Sequence, residues 1–242
     1  TNNILRMLQA LMRHHGTDPF FANDDSLKAE AVVETAAQAP KAEEAAAPAA
    51  SQDLLPLPAP VDTTKTYKPS KDEAEVPCTE GSFGPTCSAI TNENLIEYLG
   101  RPDILYIDTR DFEDYLKKHF RNFEVVPFFA LVFNAEAHTN PELPQLYGGT
   151  PTEPVPVYEE SDELLEVLFP KDKTLFIMCQ SGGRVGMLMN ILKARGWDMS
   201  KIYNVGGMAQ YTAPEYKPYI TDTAEFVLQG TYTIEGLTRI AP

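Results

Sequence analysis

Cys179-Gln180-Ser181-Gly182-Gly183-Arg184 is the segment of this chain whose residue types and spacing best fit chemistry. It offers one sulfur nucleophile, two adjacent glycines and a fixed cation. The glycines let the backbone curl so that several N–H groups point inward. A helix starting there adds the positive end of its dipole. Such a nest favours a thiolate over a thiol at Cys179. Arg184 can brace the loop or meet an anionic group. The cradle suits a thiolate, a persulfide or a small oxyanion. The plainer alternative is an inert, buried cysteine beside a tight turn.

The flanking elements would place the loop at a sheet edge. Thr174-Leu175-Phe176-Ile177-Met178 is a continuous apolar run, as in a parallel strand covered on both faces. Val185–Ala194 then reads as a helix with Val185, Leu188, Met189 and Leu192 on one face, and Gly196 ends it. Lys201–Val205 is a further strand closed by Gly206-Gly207. Upstream, Thr91 caps a helix over Leu95–Leu99 that stops at Gly100, and Ile104–Ile107 is a short buried strand. Phe112–Phe120 reads as an amphipathic helix and Val125–Phe129 as a strand. Residues 134–158 form a Pro/Gly-rich insertion, and Ser161–Leu168 is helical with Ser161 as a plausible cap. Strands alternating with helices at these spacings imply an α/β fold, a parallel sheet flanked by crossover helices.

The strand–Cys179–Arg184–helix unit resembles the active loop of rhodanese-like domains. The likeness extends upstream to Tyr106-Ile107-Asp108-Thr109-Arg110, Glu113, Tyr115 and His119. Downstream it includes Tyr203-Asn204-Val205-Gly206-Gly207-Met208, with Tyr211 where Trp is commoner. Within the family it is most similar to bacterial exported or lipoprotein rhodanese-like proteins. The resemblance implies a rhodanese-like sheet over 90–220 and sulfur transfer with no cofactor. Cys179 would take a sulfane sulfur from a small donor and pass it to a thiol or cyanide. Gln180, Ser181, Gly182, Gly183 and Arg184 would form the cradle, with Asp108, Arg110 and His119 in support. The loop is shorter than that of the phosphatases and arsenate reductases sharing the fold, which suits sulfur better than phosphate. Val185 departs from a frequent Ser, and Lys118 stands where Gly usually precedes the His. No Lys or Arg lies inside the loop to attract thiosulfate.

The rest of the chain bounds these readings. Lys+Arg 20 against Asp+Glu 35 gives a net charge of −15, which argues against nucleic-acid binding and against adsorption to anionic lipid. No apolar run approaches the roughly 20 residues of a transmembrane span. Residues 1–77 read as a low-complexity arm: an amphipathic start at Ile4, Leu5, Leu8, Leu11 and Met12, an alanine-rich stretch, then Leu54–Pro60, which favours polyproline II. The first residue is Thr, read as a processed chain or a fragment. Both a mitochondrial, complex-associated location and an extracytoplasmic one fit. The arm and insertion 134–158 are candidate surfaces for protein partners, so an accessory, non-catalytic subunit of a larger assembly is the competing reading. Cys78 and Cys87 bracket residues 78–89 as either a disulfide or two thiols. His14, His15, His119 and His138 are dispersed, and no metal site is expected. The tail 221–242 alternates over Glu225–Ile234 like a strand.

Overall fold

An uncharged apolar run is stable only where both of its faces are covered, and Thr174–Cys179 lies at the middle of the protein for that reason. The computed structural model describes residues 54–221 and 236–241. The central parallel sheet contains β1 (Ile104–Asp108), β2 (Glu124–Val125), β3 (Thr174–Cys179) and β4 (Ile202–Gly207), in the order β2-β1-β3-β4. The crossovers carry α1 (Phe112–Lys117), α2 (Ser161–Leu168) and α3 (Gly183–Ala194). Alternation along β3 splits the core. Leu175, Ile177 and Cys179 join Leu165, Val185, Leu188, Leu192 and Trp197. Phe176 and Met178 join Tyr98, Tyr106, Phe123, Tyr203 and Tyr211. Asp108 pairs with Met178 and Cys179 with Gly207, so the acidic end of β1, the cysteine and the glycines of β4 meet at one edge.

Several expected elements differ, each for a local reason. Leu95–Tyr98 is a single 3-10 turn rather than an α-helix. Asn94 Oδ1 accepts the Thr91 N–H at 2.8 Å, and Gly100 turns away at φ 75°, leaving too few residues for a longer helix. The helix expected through Phe120 stops at Lys117, because His119–Phe120 extends and pairs antiparallel with Ile220–Thr221. The strand expected over Val125–Phe129 ends at Val125, two residues before Pro127, which has no N–H for a ladder; Phe128–Val132 is one π-helical turn. Ser161 is not a cap. Its hydroxyl lies inside the core, accepting from Tyr158 N–H and donating to Leu146 O.

The arm is likewise corrected in its second part. Residues 54–77 do not stand off the domain. Pro58 O accepts the Tyr203 hydroxyl at 2.7 Å, Pro60 O accepts Ala89 N–H, and Asp62 N–H donates to Cys87 O. Leu57 packs on the aromatic half of the core. Thr66–Tyr67 pairs with Val76–Pro77 just before Cys78. Cys78 and Cys87 are joined as a disulfide, with Cα atoms 5.6 Å apart. Closing so short a loop contributes roughly 2–3 kcal/mol through the entropy of the unfolded chain. The amphipathic start and alanine-rich stretch lie outside the described residues.

Insertion 134–158 is built into the body. Tyr147–Gly149 and Pro154–Pro156 pair as a hairpin, and Leu146, Tyr147, Val157 and Tyr158 enter the core. The chain end closes over it: Ile240 N–H donates to Val157 O, and Arg239 donates to the carbonyls of Ala137, Asn140 and Leu143. The expected strand over Glu225–Ile234 lies outside the described residues.

Candidate active site

Cys179 closes β3 and is 1% exposed. Its Sγ accepts the Gly182 N–H at 3.1 Å. Gly182 holds φ +91°, a left-handed backbone that favours glycine, and it directly precedes α3. Of the several inward amides expected, Gly182's is the one among the described residues that is bonded to the sulfur. Helix geometry leaves the amides of Gly183, Arg184 and Val185 without intrahelical acceptors, so they complete the donor-rich end of α3. The side chains of Gln180 and Ser181 are exposed, and the loop touches the sheet through backbone.

Three contacts set the loop's position. Gln180 O accepts the Ala209 N–H at 3.1 Å. A Cβ on Gly207 would lie 2.1 Å from Gln180 C and Ser181 N, so only glycine lets β4 approach the loop this closely. Met178 O accepts both the N–H and the hydroxyl of Thr109, at 2.8 and 2.9 Å, binding the end of β3 to the end of β1.

Arg184 reaches from the start of α3 toward the residue before α1. Its Nη1 lies 3.6 Å from Asp111 Oδ2, and the guanidinium sits over the Phe129 ring at 5.8 Å. That Nη1 is buried without a hydrogen-bond partner. Phe129 is 45% exposed, so a cation, a carboxylate and an apolar ring share one rim.

Asp108 and Arg110 form a buried pair. Arg110 Nε donates to both carboxylate oxygens of Asp108, and Nη2 donates to Oδ2 at 2.7 Å. Nη2 also donates to Lys118 O and Nη1 to Asp114 O, which ties α1 and its exit to β1. Burial pushes the Asp108 carboxyl above its ordinary value, and the Arg110 guanidinium opposes this.

His119 is not brought to the sulfur loop by any of its contacts. Its ring stacks on Tyr115 at 3.9 Å, and Nδ1 lies 2.7 Å from Tyr115 O. Burial holds its pKa below 6.5, against the pull of the Tyr115 carbonyl. The unfolded chain therefore binds the His119 proton more readily than the folded one. Stability is highest above pH 6.5 and falls as pH drops toward the lowered folded value. A urea-denaturation series between about pH 7 and 5 should show this fall, and His119→Gln should flatten part of it.

The expectations from sequence give no site role to Asn204, Phe83 or Pro85. Asn204 is buried on β4 and donates to Phe83 O and Gly182 O. One signal was available, a lone amide inside the apolar Tyr203–Val205 run. Phe83 and Pro85 belong to the disulfide loop, which nothing local connects to Cys179. Among the described residues, no group of three or more His, Cys, Asp or Glu is placed to hold a metal ion, and no helix is long and apolar enough to cross a membrane.

A family model of the rhodanese-like domain matches residues 91–214. No curated protein matches the chain. Among solved structures, a rhodanese-like domain protein from Staphylococcus aureus is 18% identical, covering 63% of this chain and 97% of its own, with a TM-score of 0.32. A rhodanese with anions from E. coli is 20% identical over 46% of this chain and 94% of its own, with a TM-score of 0.28. A rhodanese-like domain from Anabaena sp. is 12% identical over 63% and 92%, with a TM-score of 0.35. With more than half of its length matched by that family model, the chain belongs to the rhodanese-like domain family.

Proposed function

We propose that this protein is a sulfurtransferase in which Cys179 carries a sulfane sulfur as a persulfide. The observation that carries this reading is the Gly182 N–H on Cys179 Sγ, 3.1 Å away, at the start of a 12-residue helix. A donor N–H and a helix N-terminus both stabilise negative charge on sulfur. In the loading step the Cys179 thiolate attacks the outer sulfur of a donor such as thiosulfate. A new S–S bond forms, the donor's S–S bond breaks, and sulfite leaves with the electron pair. In the unloading step a thiolate or cyanide attacks the outer sulfur, and the Cys179 thiolate is the leaving group.

The residues around the loop divide the work. Gly182 holds the reacting sulfur. Arg184, 3.6 Å from Asp111, supplies a cation at the rim, where an anionic donor would approach. Thr109 keeps the ends of β1 and β3 in register, and the Asp108–Arg110 pair ties α1 to β1. The exposed Phe129 ring under the Arg184 guanidinium favours acceptors with apolar surface.

Intact-protein mass spectrometry tests the reading. Incubation with thiosulfate, followed by removal of excess donor, should add about 32 Da, the mass of one sulfur, to Cys179. Cyanide should remove it as thiocyanate. An unshifted mass, with Cys179 still open to alkylation in the unfolded protein, would overturn the proposal.

The burial of Cys179 favours a second reading, in which the fold is kept as an accessory subunit and residues 1–53 and the insertion meet partners. The same spectra separate the two, because an accessory subunit would not load sulfur.

A further inference from the structure

Asn204 stands where the disulfide loop and the sulfur loop touch. Its Nδ2 donates to Phe83 O at 2.8 Å and to Gly182 O at 3.0 Å, while Oδ1 accepts the Gly206 N–H at 3.0 Å. Both donors of the amide are used, one on each loop. Gly182 O also accepts the Gly186 N–H at 3.1 Å, so this carbonyl is held from two sides. Across a planar trans peptide, the Gly183 N–H points opposite to that carbonyl. Asn204 therefore fixes both the φ +91° residue whose own N–H meets Cys179 Sγ and the direction of the next amide.

The disulfide loop packs against the same backbone. A Cβ on Gly182 would lie 2.6 Å from Pro85 Cβ, and one on Gly186 would lie 3.2 Å from Phe83 O. The Phe83 ring is buried in the cluster that contains Cys179. Cys78 and Cys87, both buried, join the two ends of this loop and limit the conformations its tip can take beside Gly182.

We propose that Asn204 is the positioning residue of the Cys179 loop and couples it to the Cys78–Cys87 disulfide, so that breaking the bridge loosens the hold on the sulfur. This rests on the persulfide reading for its consequence in catalysis, not for its geometry. The redox step is ordinary exchange: a dithiol gives two electrons and two protons, the Cys78–Cys87 S–S bond breaks, two thiols form, and the dithiol becomes a cyclic disulfide. Phe83 and Pro85 are then held by packing and by the Asn204–Phe83 hydrogen bond without the covalent closure of their loop, and Gly182 O loses the fixed setting of its amide partner.

The test uses the full chain. Asn204→Asp keeps an acceptor for Gly206 but removes both donors. It should lower kcat of thiosulfate-to-cyanide transfer about 10- to 100-fold while KM for thiosulfate changes less than about twofold. The double variant Cys78→Ser/Cys87→Ser should lose roughly tenfold in kcat, and adding it to Asn204→Asp should cost little more, because the link is already cut. Independent effects that multiply would overturn the coupling. Amide hydrogen exchange on the wild-type protein gives a reading without turnover or substitution. After treatment with dithiothreitol, the Gly182 and Gly183 amides should exchange at least about tenfold faster while those of β1 hold their rates. Unchanged exchange at Gly182 and Gly183, with the bridge shown to be open, would sink the proposal even where transfer is active. Faster exchange in a protein that transfers no sulfur would retain the coupling and reject only the sulfurtransferase reading.

Discussion

Replacing Cys179 by serine is expected to lower sulfur transfer by at least about a thousandfold, to the level of the uncatalysed reaction. The two side chains are nearly the same size, and the Ser oxygen can still accept the Gly182 N–H. The chemistry does not carry over. A hydroxyl at this position is not ionised near neutral pH, and an oxygen cannot hold the sulfane sulfur in an exchangeable S–S bond. The site is 1% exposed, so a serine hydroxyl there costs about 1–3 kcal/mol if its partners are imperfect. Cys179→Ala serves as the companion variant, since it removes the sulfur without adding a polar atom. Both variants should keep the fold, read by near-ultraviolet circular dichroism, and both should lose turnover in a thiosulfate–cyanide assay. Equal and negligible rates in wild type and variants would remove the enzyme reading and leave the accessory one.

The parts of this site legible in the sequence are those made by neighbours along the chain. The uncharged Thr174–Met178 run, the two glycines and the periodic helix after them are consecutive along residues 174–194, and local rules suffice for them. Asp108 and Arg110 entered as supporting residues only through the family resemblance, and it is the fold that joins them as a buried pair. The parts that were not legible depend on distant chain segments. Asn204 gains its role only because β4 lies beside β3 and because Phe83, 121 residues away in sequence, lies above it. The Pro-rich stretch near Pro58 looked like a free arm because it can form neither helix nor ladder. Its carbonyls nonetheless accept from Tyr203 and Ala89, which requires no regular structure of its own. Ser161 has the composition of a cap, but a buried carbonyl at Leu146 claims its hydroxyl instead.

The same contrast between local and distant contacts shapes how the chain meets its surroundings. A net charge of −15 repels small anions at low salt. Arg184, the cation at the rim, spends part of its field on Asp111 at 3.6 Å. Within the persulfide reading, this arrangement admits neutral or protein-borne sulfur donors as well as free thiosulfate. Phe129, exposed beside Arg184, offers the apolar contact such a donor would use.

Arg110→Ala is expected to cost about 3–5 kcal/mol of stability, a large share of the roughly 5–15 kcal/mol that holds a domain of this kind together. Arg110 is 3% and Asp108 0% exposed, so the remaining carboxylate would have neither water nor a cation. The loss extends to Lys118 O and Asp114 O, which the guanidinium also satisfies. The pH dependence has a definite sign. Burial already raises the folded Asp108 pKa above its unfolded value, and removing the opposing guanidinium raises it further. A group raised in this way is stabilising below its unfolded pKa and loses that contribution as pH rises through the folded one. The variant should therefore be least destabilised in acid and most destabilised at neutral pH, as read from urea midpoints at a series of pH values. Replacing both partners, as in Asp108→Leu/Arg110→Met, should recover most of the lost stability, because it removes the charge that would otherwise be stranded. A double variant no more stable than Arg110→Ala would mean that the carbonyls of Lys118 and Asp114, rather than the Asp108 carboxylate, set the cost.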